Sequence, residues 1–132
     1  MFLFDTDTLS NLGKARPSPR LLRRLAAAPG PIYTSAITVA EILKGAHKSS
    51  SPSFFIQKLQ GALQALSGVL PFDRQAAEIY GKIAADLERQ GLPIGFADLQ
   101  IAAIALSRNL VVITHNLHHF QRVPGLQMDD WL

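Results

Sequence analysis

Three carboxylates and one amide sit in unusually apolar surroundings in this chain. Asp5 ends the run Phe2-Leu3-Phe4 and leads at once into Thr6 and Asp7, within FLFDTDTL. Glu41 stands inside SAITVAEILKGA, and Asp98 inside GFADLQIAAIAL. Asn116 follows the apolar run LVVI with two residues between them. A carboxylate bordered by so much hydrophobic sequence is expected to be partly buried, and an unpaired buried charge costs several kcal/mol. A hard divalent cation held by oxygen ligands removes that cost. Mg²⁺ takes one or two carboxylates directly and keeps its waters for substrate phosphates. Such an ion can orient a water and stabilise charge on a phosphodiester oxygen.

Each acid also has a plainer, structural reading. Asp5 can cap a helix, and Asp98 can complement a helix dipole. Thr38-Val39-Ala40-Glu41 has the spacing of a capping box, in which the Thr hydroxyl and the Glu carboxylate satisfy orphan amides reciprocally. Asp7 reads as a local hydrogen-bonding residue near a helix start. Taken singly, every acid fits its structural role. Taken together, they ask for a shared cation.

The elements that must position these residues alternate along the chain. Short apolar strands are expected at 2–4, 32–34, 69–70 and 110–113, with a last one in the tail 124–132. Helical patterns cover 5–12, 21–28, 38–46, 54–66, 73–90 and 97–108, with Gly13 and Gly91 as stops. That alternation predicts an α/β sandwich with a mainly parallel central sheet flanked by helices. In such sheets function gathers beyond the carboxyl ends of the strands, which is where Asp5, Ser35 and Asn116 fall.

Composition sets the outer bounds. The 132 residues suit one domain, and 48% hydrophobic against 17% charged residues argues for a packed core. The absence of cysteine excludes disulfides and thiolate zinc sites and suits the cytoplasm. No apolar stretch reaches the ~18 residues of a membrane span, and no export leader is evident. A net charge of +3 is compatible with a polyanionic partner. THNLHHF holds three of the four histidines, but it lacks a fourth ligand at a zinc spacing and reads as a surface turn that could contact RNA. Trp131 is expected as a core or interface anchor and Tyr80 as core-facing. Phe54 and Phe55 could pack internally, form a dimer surface or line a partner groove.

The stretches FLFDTDTLSNL, TSAITVAEILKGA, VLPFDRQAAEIYGKIAADLERQGLPIGFADLQIAAIALSRNLVVITHN and FQRVPGLQMDDWL follow one another over nearly the whole chain. In that order they resemble the PIN-domain ribonucleases of the VapC toxin type. The resemblance implies one PIN domain over residues 1–132. It also implies a Mg²⁺- or Mn²⁺-dependent endoribonuclease, the toxin of a type II toxin–antitoxin pair, held by a VapB-type antitoxin and forming a homodimer. The family's acids fall on Asp5, Glu41 and Asp98, as metal ligands and catalytic residues. Some members carry a fourth acid where this chain has Asn116, so a single metal, or a second ion recruited with the RNA, is expected. Asn116 would join the catalytic residues, and Thr6 and Thr114 would support the site. A metal-activated water would attack in line and leave a 5′-phosphate and a 3′-hydroxyl.

Basic residues should track the RNA backbone, with Lys14, Arg16, Arg20, Arg23, Arg24 and Lys44 as candidates. Three other functions remain open on the sequence: a nuclease for DNA, a non-catalytic PIN-like nucleic-acid-binding module with a degenerate site, and a scaffold whose acids are all helix caps. Which RNA is cut is set by surface shape rather than by these motifs.

Overall fold

A computed structural model describes residues 1–132. Strand β1 (Phe2–Phe4) leads through Asp5 into helix α1 (Thr6–Leu12) and then α2 (Pro19–Ala27). Strand β2 (Ile32–Ser35) feeds α3 (Ala36–Lys48) and α4 (Pro52–Gln64). Strand β3 (Gly68–Leu70) precedes the packed pair α5 (Arg74–Arg89) and α6 (Phe96–Ser107). Strand β4 (Val111–Ile113), the short α7 (Leu117–Phe120) and β5 (Met128–Asp129) complete the chain.

The five strands run in the order β3-β2-β1-β4-β5, and every pairing is parallel. The expected mainly parallel sheet is thus parallel throughout. β1 is central: Phe4 pairs with Thr34 on one side and Ile113 on the other. The chain leaves β1 toward β2 and later returns to its opposite side as β4. That reversal opens a crevice beyond the carboxyl end of β1, and Asp5 is the residue placed there.

Alternation along β1 divides the core. Leu3 faces one layer with Val112, Phe120 and the buried face of α6, while Phe4 faces the other with Leu9, Leu21, Leu59 and Trp131. Helix α6 is apolar on all sides, and Ile101 to Ala105 are wholly buried, as a helix without a polar face must be. Its first turn is therefore held rigidly at the crevice.

Several boundaries differ from the sequence pattern for identifiable reasons. Helix α3 begins at Ala36 rather than Thr38, because the extended Ser35 turns its hydroxyl to accept from the Thr38 amide at 3.0 Å. Thr38 then lies inside the first turn, its hydroxyl 3.2 Å from that of Ser35. The capping box between Thr38 and Glu41 is not formed, which leaves Glu41 free for another role. Leu117–Phe120, read as part of a surface turn, makes one helical turn anchored by the buried Phe120. Gly13 ends α1 in ordinary right-handed geometry, whereas Gly91 after α5 takes a positive φ of 68° that favours glycine. Trp131 is buried against Phe2 and Phe4, with ring centroids at 5.0 and 5.6 Å. Tyr80 packs half-buried beside the core, edge-on to Phe72. Phe54 and Phe55 do not pack internally; they are 55% and 45% exposed.

Candidate active site

Asp5 is fixed from both sides. Its amide donates to the Ile113 carbonyl at 3.1 Å, and its carboxylate caps α1 by accepting from the Thr8 amide at 2.9 Å. The Thr8 hydroxyl donates to the same Ile113 carbonyl. Asp5 is only 5% exposed. Burial pushes its carboxyl above the ordinary carboxylate range; hydrogen bonds from Thr114 and Thr8 oppose the rise, and the Asp7 charge adds to it. Capping takes one carboxylate oxygen of Asp5, and the group still borders the crevice beyond β1.

Asp98 stands in the first turn of α6. Burial raises its pKa, the neighbouring His119 lowers it, and the Glu41 and Asp7 charges raise it again. His119 Nδ1 lies 3.4 Å from Asp98 Oδ2. Glu41, exposed on α3, accepts a 2.7 Å hydrogen bond from the Thr6 hydroxyl. Asn116 donates its side-chain amide to the Asp7 carboxylate, and its backbone amide donates to the Thr114 hydroxyl at 2.9 Å. Thr114 itself is wholly buried.

Asp5, Thr6, Glu41, Asp98, Thr114 and Asn116 are therefore brought to one crevice by four separate stretches of chain. Two neighbours were not anticipated as part of it. Asp7, read as a local helix-start residue, carries its charge into the site and binds Asn116. His119, read as part of a surface turn, is the one positive-capable partner of Asp98. The sequence did hold a signal for His119: it follows Asn116 by three residues, the spacing that puts two side chains on one face of a helical turn.

The basic candidates divide differently. Lys14 lines a groove of about 600 Å³ that also includes Thr6 and Glu41, with Leu59, Phe54 and Phe55 along its apolar floor and rim. Arg24 pairs with Asp129 and lies over the Trp131 ring, 5.4 Å from its centroid, so its cation is committed to the tail. Arg16, Arg20, Arg23 and Lys44 are exposed and make no ion pair with the acids of the crevice. The histidines form no zinc cluster: His115 turns to Asp130 at 3.0 Å, away from His119 and its partner Asp98.

The donor set fits a hard dication. Asp5, Asp7 and Glu41 lack any Lys, Arg or His within ion-pair distance, and Asp98 has only a histidine. Like charges crowd one another instead. No three His, Asp or Glu side chains stand close enough together to enclose a metal ion as they lie.

A family profile described as the PIN domain matches residues 2–126. The chain belongs to the PIN domain family. Within that family it is similar to a tRNA(fMet)-specific endonuclease VapC of Salmonella typhimurium, with 38% identity over 98% of this chain and 97% of the relative. It is likewise similar to a Ribonuclease VapC1 of Haemophilus influenzae, with 38% identity over 99% of this chain and 98% of the relative. Among solved structures, the DNA-bound VapBC of Salmonella typhimurium superposes with a TM-score of 0.91 at 38% identity, covering 99% of this chain and 98% of that one. VapBC2 of Rickettsia felis, bound to a fragment of its promoter, gives 0.90 at 28% identity over 99% and 98%. The PIN fold, with its parallel sheet and helices on both faces, is thus shared with these proteins along their whole length.

Proposed function

We propose that residues 1–132 form a single PIN domain acting as the ribonuclease toxin of a type II toxin–antitoxin pair, hydrolysing RNA phosphodiester bonds with Mg²⁺ or Mn²⁺. The observation that carries this reading is the gathering of acids beyond the carboxyl end of β1, where the Asp7 charge acts on both Asp5 and Asp98, the Glu41 charge acts on Asp98, and no lysine or arginine pairs with any of them. The names borne by its relatives support RNA as the substrate and a VapB antitoxin as the partner.

Asp5, Glu41 and Asp98 would hold the ion. Bound there, it would acidify a water and neutralise charge on a phosphate oxygen. The protein's own parts do the positioning. Thr8 and Thr114 fix the Asp5 carboxylate, and Thr6 holds one oxygen of Glu41. Asn116 tethers Asp7, and His119 orients Asp98. Asn116 is neutral and already engaged by Asp7, which favours one resident ion over two. Lys14 stands where a phosphate beside Glu41 would need a cation. The apolar groove walled by α1, α3 and α4 opens onto Thr6 and Glu41, and is the place for an antitoxin segment that would block the acids. A homodimer working in the cytoplasm completes the reading; no helix is long and apolar enough to cross a membrane.

The test is cleavage of a transfer RNA pool by antitoxin-free protein with Mg²⁺ or Mn²⁺, beside Asp5→Asn and Asp98→Asn. Cleavage that needs the metal and is lost in both variants is the expected result. Unchanged cleavage in the variants, or none by wild type across transfer, ribosomal and messenger RNA, would remove the assignment. A DNA arm in the same assay distinguishes the two nucleic acids.

A further inference from the structure

Phe96 is the most exposed large hydrophobic side chain in the protein, at 66%. It lies two residues before Asp98, in the opening turn of α6. Its ring is not loose. It packs edge-on against Tyr80 at 5.4 Å, and Tyr80 packs edge-on against Phe72 at 5.9 Å. Two aromatic rings in series, Tyr80 and Phe72, therefore brace Phe96 from beneath, while most of its surface meets water.

A cation is held close by. Arg122, exposed, donates from Nη1 to the Pro93 carbonyl at 3.2 Å, in the turn that leads to Phe96. Arg122 has no carboxylate partner. Gly95, the residue at the start of α6, supplies no side-chain cap. The same short stretch brings His119 against Asp98, so the α7 segment and the 93–98 turn form two facing sides of one approach to the acids.

We propose that Phe96 and Arg122 form a nucleotide subsite, in which the Phe96 ring stacks a base next to the scissile phosphate and Arg122 takes an adjoining phosphate. This rests on the ribonuclease reading above. A braced, exposed ring, with an unpaired guanidinium held on the Pro93 carbonyl three residues before it, matches the two faces of a single-stranded nucleotide, one aromatic and one anionic. An apolar protein segment is better served by the separate α1–α3–α4 groove, where Phe54 and Phe55 are the exposed rings.

The experiment uses the full chain, free of antitoxin, and a short single-stranded RNA carrying 2-aminopurine at each position in turn. Binding is read in an Asp5→Asn background, so that cleavage does not intervene. Stacking on Phe96 should quench 2-aminopurine at one position, Phe96→Ala should remove that quench, and Phe96→Trp should keep it. In the active protein, Phe96→Ala should raise KM about 10- to 100-fold, the loss of one stacked base, with kcat within about twofold. Arg122→Gln should lower the salt dependence of binding by roughly 0.7 in log–log slope, the share of one single-strand phosphate. Quenching that survives Phe96→Ala overturns the subsite, as does a KM that does not change. A Phe96→Ala protein that falls from dimer to monomer in light scattering also overturns it, in favour of an interface between copies. Position-specific quenching without any metal-dependent cleavage by wild type keeps the subsite and removes the nuclease reading, so the two failures are distinguishable.

Discussion

Helices α6 and α2 have opposite designs. Helix α6 has no polar face, sinks Ile101 to Ala105 completely, and carries one acid, Asp98, on its first turn. Helix α2 is amphipathic, buries only Leu21, and displays Arg20, Arg23 and Arg24. By charge alone, α2 looks like the more functional of the two for a protein that handles RNA. Position reverses that impression. The buried body of α6 fixes Asp98 within reach of the Glu41 and Asp7 charges, while Arg24 on α2 is spent on Asp129 and Trp131. Burial of the helix that carries it aims a side chain; exposure of charge only makes one available.

The contrast is broken or sharpened most strongly by substitution at the acids. Asp98→Asn should lower metal-dependent RNA cleavage by about 1,000-fold or more, because a catalytic ion supplies several kcal/mol of transition-state stabilisation. Arg23→Ala on α2 should leave kcat/KM within about threefold, the loss of no more than one exposed phosphate contact. Comparable losses from both would mean that α2 belongs to the site.

Stability should separate the two helices next. Ile104→Ala, in the wholly buried part of α6, should cost about 2–5 kcal/mol in urea unfolding. Leu22→Ala, 43% exposed on α2, should stay within about 0.5 kcal/mol. An Ile104→Ala protein as stable as wild type would contradict the packed, rigid α6 on which the aim of Asp98 depends.

A smaller effect follows from the direction of the titrations. Asp5 and Asp98 are both raised above the ordinary 3.8 by burial in the folded state. The native protein then holds protons more tightly than the unfolded chain at these two groups. Their contribution to stability is fully present below the unfolded value and is lost as pH rises through the folded one. In chelator, Asp98→Asn should therefore gain stability relative to wild type as pH climbs from about 4 toward neutrality. The check is the difference in urea midpoint between the two proteins across that range. A variant that loses ground with rising pH would reverse the assigned sign.

The least effect is expected at the tail. Arg24→Ala should cost about 1 kcal/mol or less, since its ion pair is half exposed and its contact with Trp131 is partly solvated. Thermal unfolding reads it directly.

Much of the molecule was legible from local pattern. The apolar runs and helical periods located eleven of the twelve elements, because each buries a face that its spacing betrays. The acids stood out because carboxylates are rare inside such apolar runs. What escaped depended on distant contacts. Leu117–Phe120 is too short to show a period, and its helical turn is anchored by the buried Phe120. Asp7 looked like a local turn residue because its partner Asn116 lies 109 residues away. Glu41 matched a capping box by spacing, yet Ser35 at the end of β2 captured the cap first. Arg24 looked free because Asp129 and Trp131 reach it only when β5 joins the sheet. Each miss is a side chain whose neighbour is set by topology rather than by sequence distance.

The most direct measurement is Mn²⁺ binding to the antitoxin-free protein, followed by titration calorimetry and Mn²⁺ resonance, in wild type and Asp98→Asn. One Mn²⁺ per chain in wild type, weakened at least about 10-fold by the substitution, is expected for a shared carboxylate site. Equal affinity in the two proteins, or no binding to wild type, would contradict a metal held jointly by Asp5, Glu41 and Asp98.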